Sequence, residues 1–146
     1  MVEREGLFKN AHFIPMENYT VDLKHKLPQN SLDLVSVFIG FHHCPLHLRD
    51  EFIMSLRDAM KMGGKMLLRD HDVHSQTMQH TVGLAHDVFN VGTGQDWSYN
   101  KRELRHFYSL AFIQKKLRSL GFKQVGKEIY QKGDPTKNAL MLFEKM

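Results

Sequence analysis

From residue 32 to residue 41 the chain reads LDLVSVFIGF, largely apolar in both alternating phases and carrying Val35, Val37 and Ile39. β-Branched residues favour extended backbone, and apolar positions in both phases predict a strand buried on both faces, as in a parallel sheet covered by helices. The period then changes. Pro45 suits the first turn of a helix, and over residues 46–62 Leu48, Phe52, Ile53, Leu56, Ala59 and Met60 fall on one helical stripe. Gly63-Gly64 is expected to stop that helix, since glycine takes the left-handed turn without a Cβ clash. Residues 65–69 then predict a second strand, completing a strand–helix–strand unit. Polar residues gather where the two strands end: Phe41-His42-His43 after the first, Asp70-His71-Asp72 after the second. In open α/β sheets that end is where ligands bind.

On either side of this unit the pattern is weaker. Residues 1–10 are polar and could be the tail of a helix, and 12–16 are a short strand candidate centred on Phe13 and Ile14, with Pro15 marking an edge or strand end. Residues 18–31 carry loop signals. A helix is expected over 77–89, with Met78, Val82, Ala85 and Phe89 on one face, followed by the glycine-containing loop VGTGQDWSY. Asn100 can cap the next helix with Glu103 as its partner. That helix is expected to run to about Leu120, with Leu110, Ile113, Leu117 and Leu120 on one side and Gly121 as its stop. Residues 122–129 and 139–143 flank a KGDPTKN turn and predict an antiparallel pair at the sheet edge. The fold class is α/β, and no repeat, low-complexity tract or Pro/Gly/Ser-rich linker divides the chain.

Composition narrows the function classes. At 146 residues, 42% hydrophobic and 25% charged, the chain fits one soluble globular domain. No apolar run approaches the ~20 residues of a membrane span, and the start MVEREGLFKN has no apolar signal core. The single cysteine, Cys44, excludes an intramolecular disulfide and fits a reducing, cytoplasmic setting. Cys44 itself reads as a buried small residue rather than a nucleophile. Net charge is +4, with basic residues concentrated in Lys101, Arg102, Arg105, Lys115, Lys116 and Arg118. A solvated helix face accounts for them; attraction to nucleic acid is a weaker alternative.

Several short motifs occur in a telling order. Leu27-Pro28 and Ser31-Leu32-Asp33 lead into the first strand, which ends in Phe41-His42-His43. Gly63-Gly64 precedes the next strand, which ends at Asp70, while FIPMEN places Glu17 after the candidate strand at 12–16. Together, over residues 8–146, they resemble strands three to seven of the class I S-adenosylmethionine-dependent methyltransferase domain. The resemblance implies an incomplete Rossmann-like methyltransferase sheet with flanking helices, its last two strands antiparallel, forming a single partial domain over 1–146. It also implies S-adenosylmethionine as cofactor, with Glu17 at the adenine and Phe41 on the cofactor side. His42 and His43 fall on the catalytic, acceptor-facing side, lined further by Asp70, His71, Asp72 and Trp97. One of the paired histidines could act as a base or an acceptor contact; alternatively, strand alternation sends one into the core while the other merely lines the cleft. Tyr99 and Tyr108, with Trp97, lie in or near the loop that by resemblance covers the acceptor, an unidentified molecule.

The family's glycine-rich loop after its first strand, and the acidic residue after its second, have no counterpart here. Gly92 and Gly94 follow a helix rather than a strand and receive no cofactor role. The resemblance therefore implies a truncated domain, inactive alone and part of a longer or assembled methyltransferase. Without the family's first two strands, residues 32–41 become an apolar edge, which invites a homodimer through that strand or packing of 12–16 against it. Two further readings stay open: a non-catalytic assembly module, and a metal-binding protein drawing on His42, His43, Asp70, His71, Asp72 and His74, which supply nitrogen and oxygen ligands.

Overall fold

The computed structural model describes Ile14, Pro15, Tyr19 and residues 23–146. A short helix α1 (Leu23–Lys26) leads to β1 (Leu32–Phe38), a 3-10 turn (Phe41–His43), helix α2 (Arg49–Ala59) and β2 (Met60–His71). Helix α3 (Gln76–Gly92), the short α4 (Trp97–Arg102) and α5 (Leu110–Ser119) precede the hairpin of β3 (Phe122–Tyr130) and β4 (Asn138–Lys145). The strands form one sheet in the order β1-β2-β4-β3. β1 runs parallel to β2, and β4 is antiparallel to both β2 and β3. The expected antiparallel pair at the sheet edge is present.

Strand alternation sets the core. Val35 of β1 aligns with Met66 of β2, and Val37 with Leu68. Met66 aligns with Phe143 of β4 and Leu68 with Met141. These side chains meet Phe52 and Ile53 of α2 and Leu110, Ile113 and Leu117 of α5 in one cluster. Each fully buried large side chain contributes roughly 1.5–3 kcal/mol. Both helices lie on this face, so the expected burial of the first strand on both faces is not met. Leu34 and Phe38, in the opposite phase of β1, are 56% and 55% exposed. β1 is also the outer strand of the described sheet. The strand expected at 12–16 lies outside the described residues except for Ile14 and Pro15, neither of which is in a strand.

The glycine pair does not stop α2, which ends at Ala59 with Met60 already extended. It belongs to a bulge in β2. Leu32 pairs with Met60 but Leu34 pairs with Lys65, so β2 loops out between them. Gly63 takes φ +73°, and a Cβ on Gly64 would lie 2.8 Å from the Lys61 carbonyl oxygen and 3.2 Å from that of Leu32. Gly64→Ala is therefore expected to cost about 1–2 kcal/mol through overpacking. That would lower the melting temperature by about 2–8 °C for a domain of this size, read by circular dichroism. An unchanged melting temperature would mean the bulge relaxes freely.

The single helix expected from Asn100 to about Leu120 is two helices with an extended stretch between them. Asn100 does not cap the long helix; its side-chain oxygen accepts from Asn90 Nδ2 at 2.7 Å and Arg105 Nη2 at 2.8 Å. Asp96 caps α4, and Ser109 caps α5 by accepting from the Phe112 N–H. The stretch between is pinned across the strand ends: the His106 N–H donates to the His42 carbonyl at 2.8 Å and the Val73 N–H to the Tyr108 carbonyl at 3.0 Å. Helix α3 also turns a different face inward from the one its apolar residues predict. Val82, His86 and Asn90 are buried, whereas Phe89 is 67% exposed.

Candidate functional site

The 3-10 turn after β1 carries His42 and His43, the end of β2 carries Asp70 and His71, and the inward face of α3 carries His86. These elements bring the imidazoles together. Ring centroids are 4.1 Å apart for His42 and His43, 4.9 Å for His42 and His86, and 5.3 Å for His71 and His86. Phe107, delivered by the pinned stretch, lies 5.1 Å from the His42 ring and 5.3 Å from the His86 ring.

Hydrogen bonds fix how each ring is turned. His42 Nδ1 donates to Asp70 Oδ1 at 2.6 Å, with both side chains buried. Asp70 Oδ1 also accepts the His71 N–H at 2.8 Å. His43 Nδ1 donates to the Leu104 carbonyl at 2.7 Å, and its Nε2 lies 3.7 Å from Glu103 Oε1. His71 Nδ1 donates to the Thr136 carbonyl at 3.2 Å, so its Nε2 is left to accept from His86 Nε2, also 3.2 Å away. His42 Nε2 and Asp70 Oδ2 are buried with no hydrogen-bond partner among the described residues.

Burial, then the charge on neighbouring histidines, favours the neutral imidazole here. Burial foremost and His42 next lower the pKa of His43 and, against the pull of Asp70, that of His71. His86 is pushed down to about 4 by burial and by His42, His71 and His43. Burial would lift the Glu103 carboxyl, but hydrogen bonds from Arg105 and Asn90 hold it below its usual value.

The cluster forms one wall of a cavity of about 570 Å³ at the carboxyl ends of β1 and β2, with His43, His71, His86, Glu103 and Tyr99 among its lining. Solved structures share this architecture. A 1,6-didemethyltoxoflavin-N1-methyltransferase from Burkholderia thailandensis, with bound S-adenosylhomocysteine, superposes with a TM-score of 0.65 at 10% identity over 99% of this chain. A SAM-dependent methyltransferase from Aquifex aeolicus gives 0.63 at 14% identity over 99% of this chain. One from Methanosarcina mazei gives 0.62 at 12% identity over 94% of this chain and 68% of its own length.

The chain has a class I S-adenosylmethionine-dependent methyltransferase-like fold. It spans 54% and 60% of the lengths of the first two of these methyltransferases. No protein-family model and no curated protein matches it.

Within this methyltransferase-like fold the expected site residues separate. His42, His43, Asp70 and His71 converge. Asp72 does not join them: Oδ1 accepts the Leu110 N–H at 2.9 Å, holding the start of α5, and Oδ2 accepts the Tyr130 hydroxyl at 2.7 Å. The latter bond pushes the Tyr130 pKa up to about 12. The Phe41 ring is in the core, 2% exposed, against Tyr108 and the buried Arg49. Trp97 is 56% exposed at the start of α4 and does not line the cavity, whereas Tyr99 does. Glu17 lies outside the described residues. Of the ligand types named for a metal, His74 is exposed. Cys44 is buried, and burial raises its thiol to about 11, as befits a packing residue. Among the basic residues, Arg105 is held by Asp87 and Glu103, and Lys116 by Asp50. No described helix is long and apolar enough to cross a membrane.

Sequence reasoning missed His86, Glu103, Asn90 and Phe107. The available signal was polar rather than apolar: Val82, His86 and Asn90 recur every four residues, a helical stripe whose polar members face the site.

Proposed function

We propose that the chain supplies the acceptor side of a methyltransferase, within a longer or assembled protein that moves a methyl group from S-adenosylmethionine to an unidentified acceptor. The observation that carries this reading is the cavity at the strand ends, lined by His43, His71 and His86, whose burial favours the neutral imidazole, with the buried His42–Asp70 pair packed against those rings. The cofactor supplies an electrophilic sulfonium methyl; the protein's part is to orient the acceptor and receive its proton. His43 suits that task. Its Nδ1–H is fixed on the Leu104 carbonyl, so Nε2 presents the lone pair, and Glu103 at 3.7 Å favours the imidazolium once a proton arrives from an acceptor O–H or N–H. Glu17 would meet the adenine, as the resemblance implies. Calorimetric titration with S-adenosylhomocysteine tests the reading: a weak one-to-one heat is expected, and a flat trace overturns cofactor binding by this chain.

A second reading, an assembly module, is favoured by the exposed Leu34 and Phe38 on the outer strand. Such an edge pairs readily with another strand. Light scattering is expected to give a dimer that Phe38→Glu converts to monomer. A monomer at all concentrations would remove this reading.

A further inference from the structure

We propose that His42, His43 and His86 form a divalent transition-metal site of the zinc type that opens onto the cavity. Each offers a ring nitrogen, and the ligand atoms of the three lie within 4.8 Å of one another. A zinc–nitrogen bond is ~2.0–2.1 Å, which sets nitrogens in a tetrahedral site roughly 3.4 Å apart. Modest ring rotations close that gap.

The decisive feature is how the rings are held from behind. A metal-binding histidine presents one nitrogen to the ion and commits the other to a carboxylate, carbonyl or similar partner. All three rings here have such a partner. His42 Nδ1 donates to Asp70, and His43 Nδ1 donates to the Leu104 carbonyl. His86 Nε2 donates to His71 Nε2, because the His71 Nδ1–H is taken by the Thr136 carbonyl. The lone pairs of His42 Nε2, His43 Nε2 and His86 Nδ1 therefore remain for a ligand. His42 Nε2 is buried and unpartnered among the described residues, an arrangement that costs stability unless something binds it. The alternative trio of His42, Asp70 and His71 also fits within 4.8 Å. There, however, both His71 nitrogens are already engaged, Nδ1 with the Thr136 carbonyl and Nε2 with His86, and Asp70 Oδ1 accepts from His42 Nδ1 and the His71 N–H, which makes Asp70 a positioning residue.

Three nitrogen ligands leave a fourth position. His43 and His86 line the cavity, so that position faces the space where a small molecule would sit. A three-histidine site with one open position is the arrangement of a metal that binds water or substrate rather than one that only holds a fold together. The proposal does not depend on methyl transfer, because metal uptake is read with no cofactor present; with metal bound, His43 Nε2 is a ligand and no longer a proton acceptor, so the two roles exclude one another in any one state.

The test is titration of the metal-stripped, tag-free full chain with Co²⁺, followed by Zn²⁺ competition. One Co²⁺ per chain is expected, with the strong visible absorption of four-coordinate cobalt, displaced by stoichiometric Zn²⁺. His43→Gln, at a partly exposed residue that leaves the core intact, is expected to weaken binding at least about 100-fold, and Asp70→Asn by about 10–100-fold. A variant lacking the exposed His47, His74 and His80 keeps full affinity. Absence of the absorption band, or unchanged affinity in His43→Gln, overturns the site. His86→Gln is the companion variant, and if it does not fold, His43→Gln decides alone.

Discussion

Asp70→Ala is expected to lower stability by about 3–5 kcal/mol, because it leaves two buried donors without an acceptor at about 1–3 kcal/mol each. For a domain of this size that corresponds to a fall in melting temperature of roughly 6–20 °C. Asp70 is 2% exposed and His42 1% exposed, so water cannot replace the lost acceptor. Two donors would be stranded together: His42 Nδ1–H, now 2.6 Å from Asp70 Oδ1, and the His71 N–H at 2.8 Å. The loss also propagates, because the His42 carbonyl holds the His106 N–H and with it the stretch that presents Phe107. Asp70→Asn keeps an acceptor oxygen and should cost only about 1–2 kcal/mol. Urea unfolding of the two variants checks this. A loss below about 1 kcal/mol for Asp70→Ala would show that the pair is not a structural anchor.

The strand–helix–strand unit was legible because its signals are local and redundant. Val35 and Val37 favour extended backbone, and the stripe through Phe52 and Ile53 has helical spacing; outside the unit, Gly121 marks the end of α5 with φ +88° by an equally local signal. In sequence the bulge at Gly63-Gly64 reads as a helix stop because both uses draw on the same glycine property. Only the Leu32–Met60 pairing, a contact across the sheet, separates them. The outward face of β1 departs from the sequence expectation for a related reason. Apolar residues at Leu34 and Phe38 show that a strand is apolar, not which of its faces the described helices cover.

The site was half legible. Strand ends announce polar residues in order, so His42, His43, Asp70 and His71 stood out in the sequence. Asp72 shared their position but is drawn away by the Leu110 N–H and the Tyr130 hydroxyl, partners 38 and 58 residues distant in sequence. His86 was hidden by the apolar reading of α3, where Phe89 suggested the wrong inward face. A helix that packs on a polar site buries its polar stripe and leaves apolar residues such as Leu84 and Val88 outside, 65% exposed each. Hydrophobic periodicity alone inverts such a helix.

Acid should destabilise the metal-free protein well before its carboxylates titrate. His43, His71 and His86 all have folded-state pKa values below the ordinary 6.5, His86 at about 4. The unfolded chain then binds more protons than the folded one across the window from 6.5 down to about 4, so stability rises with pH there and is lost as pH falls. The charges facing the cluster are mixed. Asp70 and Glu103 favour protonation, while His42, Arg105 and the neighbouring histidines oppose it. Burial decides the sign. The His86 contribution alone, discounted for partial solvent screening, is about 2 kcal/mol, or roughly 4–8 °C in melting temperature, and His43 and His71 add to it in the same direction. Thermal scans in chelator from pH 7 to pH 4 measure it. His86→Gln removes the largest of the three contributions and should flatten the profile, because glutamine does not titrate. A profile equally steep in that variant would place the acid sensitivity elsewhere, with Asp134, whose pKa is held at about 2 by hydrogen bonds from Thr136 and Asn138 that outweigh its burial, too low to account for it.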